Sequence, residues 1–282
     1  MPDNAPGDFF IDTTCIDCAT CNWVAPSVFG PAQGHSRVRK QPMGRPAEHR
    51  ARMALVACPV GAIGTREAHD LADARVAFPD PLEGPVHHCG YHARASFGAA
   101  SYLLVRPEGN VLVDSPRFSG PLVRRIEELG GIDLMFLTHR DDVADHARFA
   151  AHFGCTRILH EAERGPRTRD VEWIVSGTDD AEIAPGLTAI VVPGHTRGSM
   201  CLLHDDTHLF TGDHLEWDPG ERRPHARQEV CWFDWHAQTQ SMARLAERRF
   251  EWILPGHGHP GRMAADAMSG AMAALVGRMR GH

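Results

Sequence analysis

Histidines and aspartates gather at a few places in the second half of this sequence, and their side chains suit metal binding. The densest group lies in "THRDDVADH", residues 138–146, which contains His139, Asp141, Asp142, Asp145 and His146. Three more such residues follow in "VVPGHTRGS", "LFTGDH" and "ILPGHGH", namely His195, Asp213 and His257. Imidazole nitrogens and carboxylate oxygens together can bind zinc, iron or manganese. The pattern therefore predicts a metal centre.

The eight cysteines divide into one clustered group and four single residues. The clustered group is Cys15, Cys18 and Cys21, spaced C-x2-C-x2-C, together with Cys58 directly before Pro59. Three thiolates in one short loop and a distant Cys-Pro form the ligand pattern of an iron–sulfur cluster. A four-cysteine zinc site is the alternative, although such sites usually pair two C-x2-C units. We therefore expect these four cysteines to bind one cluster.

The elements that must position the histidines and aspartates alternate between strands and helices, which is typical of layered α/β packing. Apolar runs predict strands at "IDLMFLT", "TRILH", "LTAIVVPG", "THLFTGD" and "EWILPGHG", and helices at "PLVRRIEELGG", "DVADHARFAAHFG" and "QTQSMARLAERRF". His139, His195, Asp213 and His257 follow predicted strands, whereas Asp145 and His146 begin a predicted helix. Residues at strand ends converge along an edge of a sheet, so side chains from separate segments can meet in one cleft.

Length and composition predict two domains and exclude several classes of function. The chain has 282 residues, and "PDP" followed by Gly84-Pro85 predicts a linker, so we expect a domain at 1–66, a linker at 67–85 and a domain at 86–282. The net charge of −7 includes no basic stripe, which argues against nucleic-acid binding. No secretory signal and no apolar run of about eighteen residues occur, so we expect a cytoplasmic protein without membrane contact.

Residues 8–66 resemble single-cluster ferredoxins of the [4Fe-4S] type. The resemblance extends from "CIDCATC" to "APSVFG" and to "CPVGAI" at Cys58. It implies a small α+β domain with one [4Fe-4S] cluster, because only one cysteine triplet and one Cys-Pro are present. The histidine-rich segment "HHCGYHARASFGA", residues 87–99, is expected to have surface or packing roles, and contact with the cluster or the cleft is the alternative.

Residues 86–262 resemble the metallo-β-lactamase fold superfamily. "PGHTRGS", "TGD" and "PGHG" match three of its motifs in the right order. The resemblance implies a four-layer αβ/βα sandwich with a dinuclear metal site at one edge of its sheets. In the ligand set that it implies, one metal is bound by His139 and His195, the other by Asp145, His146 and His257, and Asp213 bridges the two.

The first motif departs from the family pattern H-x-H-x-D-H, because "HRDDVADH" has aspartate in place of the second histidine and two extra residues. Either Asp141 or Asp142 can be the additional ligand, and we favour Asp141 because it keeps the spacing from His139. A carboxylate in place of an imidazole favours iron or manganese, although zinc also accepts it. Flavodiiron proteins of the same superfamily carry a carboxylate at this place, and this substitution is similar to theirs.

Two classes of enzyme are consistent with these features, and both act on a small-molecule substrate. In the favoured one, an oxidoreductase, the ferredoxin-like domain passes electrons to a dinuclear iron site that reduces or activates the substrate. The alternative is a metal-dependent hydrolase of an ester, thioester or phosphodiester, with Asp145 as a catalytic residue and a structural or regulatory cluster. We also expect an electron-donor protein as a partner, and a homodimer if the aromatic segment "VCWFDWH" is exposed.

Overall fold

The structure is a computed structural model that describes residues 1–281. The chain forms two compact units, each described by itself below. The first unit consists of Met1–Leu134 and Ala144–Cys155, and the second consists of Met135–Val143 and the chain from Thr156 onward. Among the residues described, no helix is both long enough and apolar enough to cross a membrane.

The first unit is built from short strands and helices. In chain order they are β1 (Phe9–Ile11), α1 (Thr20–Val24), β2 (Phe29–Ala32), β3 (His35–Val38), α2 (Arg45–Ala57), β4 (Ile63–Thr65), α3 (Ala72–Val76), β5 (Asp80–Glu83), β6 (Val86–His88), a 3-10 turn (Arg94–Ser96), β7 (Tyr102–Leu104), β8 (Val111–Val113), α4 (Gly120–Glu128) and α5 (His146–Phe153). Strand β1 pairs with β4 and β2 with β3, while β5 to β8 pair in succession, all antiparallel.

The segment predicted as a linker, residues 67–85, contains regular structure. It includes α3 and β5, and β5 pairs with β6 across a tight turn. The proline and glycine residues that suggested a linker therefore flank short elements in this segment. The predicted domain bounds at 66 and 86 stay a prediction.

Two prolines define the ends of helix α2, which leads into the fourth cysteine of the predicted cluster. Pro46 lies in its first turn, where a missing N–H costs nothing because the helix leaves that position without a partner. Pro59 follows Cys58 and disfavours the helical conformation there, and Cys58 is extended with φ −56° and ψ 121°. The helix thus ends directly before the cysteine that is predicted to be the fourth ligand.

The second unit contains one larger sheet and two long helices. Its elements are most of β9 (Leu134–Phe136), β10 (Thr156–His160), a 3-10 turn (Glu161–Glu163), β11 (Trp173–Val175), β12 (Ala181–Ala184), β13 (Leu187–Val191), β14 (Met200–His204), β15 (His208–Gly212), β16 (Glu216–Asp218), β17 (Arg223–His225), a 3-10 turn (Gln228–Val230), α6 (Trp235–Leu245), β18 (Trp252–Pro255), β19 (Gly261–Arg262) and α7 (Ala265–Arg280).

Six strands form the main sheet of this unit, in the order β12-β13-β14-β15-β18-β19. Only the β15–β18 pair is parallel, and the other pairs are antiparallel. Helices α6 and α7 contribute Met242, Met272 and Leu275 to a buried apolar cluster that also includes Leu209 and Ile253 of the sheet. Burial of these side chains is the main stabilising contribution to this packing.

The predicted elements agree with the structure in kind and differ at their ends. The predicted strands all contain observed strands, and the mixed α/β class with a small N-terminal ferredoxin-like segment is confirmed. The helix predicted from Gln238 begins at Trp235, because the Asp234 side chain accepts a hydrogen bond from the Ala237 N–H at 2.8 Å and caps it. Helix α7 and the hairpin formed by β16 and β17 were not predicted.

Candidate metal centres

The four clustered cysteines line one enclosed cavity in the first unit. N–H or O–H groups lie within hydrogen-bond distance of three of the sulfur atoms: the Ser36 N–H at 3.5 Å from Cys15 Sγ, the Thr20 hydroxyl at 3.4 Å from Cys18 Sγ, and the Ala62 N–H at 3.3 Å from Cys58 Sγ. N–H and O–H groups that point at sulfur stabilise the negative charge of a ligating thiolate.

The chemistry of this cavity fits an iron–sulfur cluster. Asp17 and Ala19 adopt left-handed backbone conformations, with φ 57° and 58°, which curl the loop around the cavity. Burial raises the pKa of Cys18 and raises that of Cys21 to about 12, so a free thiolate is disfavoured at both positions. Iron binding supplies the positive charge that would hold these thiols deprotonated. The ligand set of Cys15, Cys18, Cys21 and Cys58 therefore suits the [4Fe-4S] group that the sequence predicts.

A buried chain of hydrogen bonds leads from Cys18 to two histidines of the "HHCGYH" segment. His92 Nδ1 lies 2.6 Å from the Gly98 carbonyl oxygen and 3.2 Å from Thr20 Oγ1, and its Nε2 lies 2.8 Å from His88 Nε2. A carbonyl only accepts, so Nδ1 of His92 carries the proton and Thr20 keeps its own hydroxyl proton to donate. Surface or packing roles are the sequence-based expectation for this segment, and in the structure His92 also contacts Thr20, which lies beside Cys18.

We expect a Thr20→Val variant to have a lower cluster reduction potential. If the hydrogen bond to the ligand sulfur is stronger by about 1 kcal/mol in the reduced cluster, its loss corresponds to a shift of about 40 mV for one electron. The shift is negative, because the reduced cluster carries more negative charge and benefits more from the donor. A redox titration followed by electron paramagnetic resonance measures it. Thr14→Val, at an exposed position with a hydrogen bond to Asp12, is the control and should not shift the potential.

Histidines and aspartates of the second unit converge beyond the ends of its strands. His139 follows β9, His195 follows β13, Asp213 follows β15 directly, and His257 follows β18. Two sets of ligand atoms lie within 4.8 Å of one another: His139, Asp141 and His195 form one set, and His139, Asp142 and Asp213 form the other. The structure thus brings side chains from separate segments together, and their role as metal ligands stays a prediction.

Neighbouring oxygens orient two of these histidines. His195 Nδ1 donates to the Val230 carbonyl at 2.7 Å, and His139 Nδ1 lies 3.0 Å from Thr138 Oγ1. Each Nε2 faces Asp213 Oδ2, at 3.6 Å from His195 and 3.8 Å from His139, and neither has a hydrogen-bond partner among residues 1–281. Burial lowers the pKa of His139 to about 4, so its imidazole is neutral near pH 7. A neutral imidazole oriented as that of His139 is what a metal requires.

Asp213 is the central carboxylate of the group. Gly212 before it has φ +50°, and a Cβ there would lie 2.5 Å from Thr138 Oγ1, so glycine permits the turn that brings Asp213 inward. Its Oδ1 accepts a 2.7 Å hydrogen bond from His257 Nδ1. Burial of His257 disfavours a charged imidazole, but the negative charge of Asp213 has the larger effect, so the pKa of His257 is raised. The protein thus favours positive charge here, as a metal ion would supply.

Both consecutive aspartates reach this group, in different surroundings. Asp141 has a side chain that is 55% exposed, and its Oδ2 lies 3.9 Å from His139 Nε2. Asp142 is 1% exposed. A Cβ on Gly256 would lie 2.7 Å from Asp142 Oδ2 and 2.9 Å from Asp213 Oδ1, so only glycine allows the two carboxylates to approach this backbone. The preference for Asp141 over Asp142 stays a prediction.

Asparagine variants of the two residues compare their importance. We expect Asp142→Asn to lose more metal from the second unit than Asp141→Asn, because water can replace an exposed carboxylate more readily than a buried one. The expected difference in affinity is about tenfold or more. Metal content after dialysis against a graded chelator measures it. Equal retention, or greater loss in Asp141→Asn, would show that the exposed carboxylate is the stronger ligand.

Asp145 and His146 belong to the first unit. Asp145 directly precedes α5, and its Oδ2 accepts a 2.8 Å hydrogen bond from the Phe118 N–H. His146 is the first residue of α5 and is buried. The predicted role of both as ligands, and of Asp145 as a catalytic residue, stays a prediction.

Sequence reasoning missed Glu163, which connects two of the ligand segments in the second unit. Its side chain is fully buried and accepts hydrogen bonds from the Gly198 N–H at 2.7 Å and from the Arg140 N–H at 3.1 Å. The Arg140 guanidinium adds an ion pair at 3.2 Å. Glu163 therefore holds the segment after His139 against the segment after His195. The contact is tertiary, and a glutamate in "HEAER" gives no local signal of it.

Two further polar residues near Asp213 were also missed. His214 is buried, and burial lowers its pKa to about 3, so it is neutral. Burial raises the pKa of Glu216 to about 7, although the Arg227 guanidinium at 2.9 Å opposes this. Glu216 can therefore gain or lose a proton near neutral pH. Its place three residues after Asp213 is the only sequence signal.

The aromatic segment lies beside His195. The backbone N–H groups of Trp232 and Phe233 both donate to the His195 carbonyl at 3.1 Å. Their side chains are 68% and 45% exposed, and the Trp232 ring lies 6.3 Å from the His195 ring. Trp232 and Phe233 are thus exposed, and exposure of this segment is the condition for the homodimer expected from the sequence. The homodimer itself stays a prediction.

Two family models match the chain. Residues 11–65 match the "4Fe-4S single cluster domain of Ferredoxin I", and residues 88–221 match the "Metallo-beta-lactamase superfamily". A curated relative, the "Probable metallo-hydrolase" of Methanocaldococcus jannaschii, is 28% identical over 201 residues, which are 60% of this chain and 92% of the relative. Both resemblances drawn from the sequence are confirmed.

Solved structures with a similar fold are metallo-β-lactamases. The chain aligns with DIM-1 at a TM-score of 0.52 and 14% identity, over 71% of this chain and 95% of that one. It aligns with the mono-zinc form of FIM-1 from Pseudomonas aeruginosa at a TM-score of 0.51 and 16% identity, over 70% of this chain and 93% of that one. It aligns with the B3 metallo-β-lactamase BLEG-1 at a TM-score of 0.51 and 16% identity, over 70% of this chain and 97% of that one. The predicted metallo-β-lactamase fold is thereby confirmed.

Proposed function

Because the chain joins a [4Fe-4S] ferredoxin-type segment to a metallo-β-lactamase fold, we propose that it is a redox metalloenzyme. In this proposal the cluster receives single electrons and passes them to a dinuclear metal centre, which reduces or activates a small molecule.

The observation that carries the proposal is the number of carboxylates in the second centre. Three aspartates and three histidines lie close together there: Asp141, Asp142, Asp213, His139, His195 and His257. No cysteine belongs to either set of ligand atoms found among the residues described. Hard oxygen donors with imidazoles favour iron or manganese, and the added negative charge stabilises higher oxidation states.

Bound metals would supply Lewis acidity and, if they are iron, one-electron redox chemistry. The protein itself orients the ligands and handles protons. The Val230 carbonyl and Glu163 keep His195 and its loop in place. Glu216 can hold or release a proton at Oε2, since Oε1 pairs with Arg227 and Oε2 lies against Gly258, beside His257. The exposed ring of Trp232 offers apolar surface to a substrate.

Hydrolysis is the second candidate, and the name of the Methanocaldococcus jannaschii relative favours it. An ester, thioester or phosphodiester would be the substrate, and the cluster would be structural or regulatory. The same ligand atoms serve zinc as well, because zinc accepts carboxylates. Asp145 would be the predicted catalytic residue in that case.

Metal analysis separates the two candidates. Protein purified without oxygen should contain about six irons per chain and no zinc if the centre is redox-active. About four irons and two zincs per chain would instead support hydrolysis. In the redox case, dithionite-reduced protein should also reoxidise with dioxygen or nitric oxide faster than the Asp213→Ala variant, and equal rates would contradict the proposed electron path.

A further inference from the structure

A cleft of about 680 Å³ opens in the first unit next to the predicted cluster site. Its lining includes Arg75, Arg94, Arg117, Cys58, Pro59 and Val60. A volume of this size is typical of a binding site. Nothing in the proposed function uses the cleft.

The cleft and the cluster cavity share one wall. Cys58, Pro59 and Val60 line both of them, so this three-residue segment faces the predicted cluster on one side and the cleft on the other. Cys58 is partly exposed, as are Cys15 and Cys18, whereas Cys21 is buried. An electron that enters through the cleft would therefore meet a ligand of the cluster first.

The three arginines of the cleft have no carboxylate partners. None of them belongs to an ion pair among residues 1–281, and all three are exposed. This local positive charge contrasts with the net charge of −7 of the chain. Unpaired arginines around one opening create an attractive field for an anionic partner.

Part of this charge is held in place. The Arg117 guanidinium donates to the Val56 carbonyl at 3.3 Å and lies 5.8 Å from the centre of the Tyr91 ring. Tyr91 is buried, and its hydroxyl donates to the Arg75 carbonyl at 2.9 Å. Tyr91 therefore links the segments that carry two of the arginines, which keeps them at the same opening.

We propose that this arginine cleft is the docking site for the acidic face of a one-electron carrier protein. The inference rests on the proposed function, because it assumes that the cluster accepts electrons. The charged groups are exposed rather than buried, as expected for a surface that a protein covers and leaves again. Encounters of redox proteins are small and transient, and complementary charge raises their association rate. One electron moves from the carrier to the cluster, so the carrier is oxidised, the cluster is reduced, and no bond forms or breaks.

A charge reversal of the cleft tests the proposal in the cluster-loaded protein. Stopped-flow absorption measures the rate constant for reduction by an acidic flavodoxin, itself reduced beforehand, over a range of ionic strength. The variant Arg75→Glu, Arg94→Glu, Arg117→Glu should react at least about tenfold more slowly at low salt and depend less on salt. The matched control is Arg164→Glu, Arg167→Glu, Arg169→Glu, which changes the same charge on three exposed arginines outside the cleft and should react as the native protein does.

Further measurements separate docking from other roles of the arginines. The rate of reduction by dithionite and the reduction potential of the cluster are measured in each variant. If the three glutamates prevent folding, the corresponding Arg→Gln triple variant replaces the charge-reversed one. A rate loss that is fully explained by a shifted potential would overturn the proposal, as would a native rate with native salt dependence. Saturable binding of inorganic phosphate to the cleft at constant ionic strength, with an unaffected rate of reduction by flavodoxin, would also overturn it and indicate a small-anion site.

A binding measurement that involves no electron transfer tests the docking site separately from the proposed function. Calorimetry with oxidised flavodoxin at low ionic strength should detect binding that the cleft variant loses and the control keeps. If the protein lacks a reducible cluster, the proposed function fails while calorimetry still shows whether the surface binds an acidic carrier. If the cluster is reduced by dithionite but no variant alters flavodoxin binding, the docking site alone is wrong.

Discussion

Replacement of Asp213 with alanine should remove most of the metal from the second unit and reduce turnover by about a hundredfold or more. The carboxylate lies 3.6 and 3.8 Å from the Nε2 atoms of His195 and His139 and accepts a hydrogen bond from His257. Its loss would leave three imidazoles without their shared anionic partner. Metal content and activity of the purified variant measure the effect.

The cluster provides an internal control for this variant. Its cysteines lie in the first unit, so the visible absorption of Asp213→Ala should equal that of the native protein. Asp179→Ala, which removes an exposed carboxylate, should keep both metal and activity. Full metal retention by Asp213→Ala would contradict a central role for this carboxylate in metal binding.

Replacement of Cys58 with serine should abolish the broad visible absorption of the purified protein. Cys58 lines the cavity shared with Cys15, Cys18 and Cys21, and its sulfur accepts a hydrogen bond from the Ala62 N–H. Serine would replace the thiolate with a hydroxyl, which is a poorer ligand for the iron of a cluster. Cys15→Ser should have the same effect. Cys231→Ser, which changes a cysteine outside this cavity, should leave the spectrum unchanged. An unchanged spectrum in Cys58→Ser would exclude it as a ligand.

The ligand types could be predicted from sequence because short motifs determine them. "PGHTRGS", "TGD" and "PGHG" each place one candidate ligand just after a strand, where a tight glycine-containing turn directs the side chain inward. The C-x2-C-x2-C spacing and the Cys-Pro pair likewise depend only on local backbone geometry. For these reasons the predicted fold class agrees with the structure, and the two expected metal centres have candidate ligands that lie close together.

The remaining features depend on contacts between distant segments. The different burial of Asp141 and Asp142 depends on a loop that packs against Gly256, which lies more than a hundred residues later. Glu163 acts through two backbone N–H groups that its own segment does not contain. The arginine cleft combines side chains from three separate segments. Local periodicity and motifs carry no information about contacts between distant segments, because such contacts arise only when the chain is folded.

The hydrogen bond between His257 and Asp213 also makes metal loading sensitive to acid. The proton on His257 must leave before that imidazole can donate a lone pair, so each metal bound there releases a proton to solvent. Because the pKa of His257 is raised, this competition extends through neutral pH, and the apparent affinity should rise by up to about tenfold per pH unit over that range. The empty protein would thus take up metal best under mildly alkaline conditions, and acidification would help to release it.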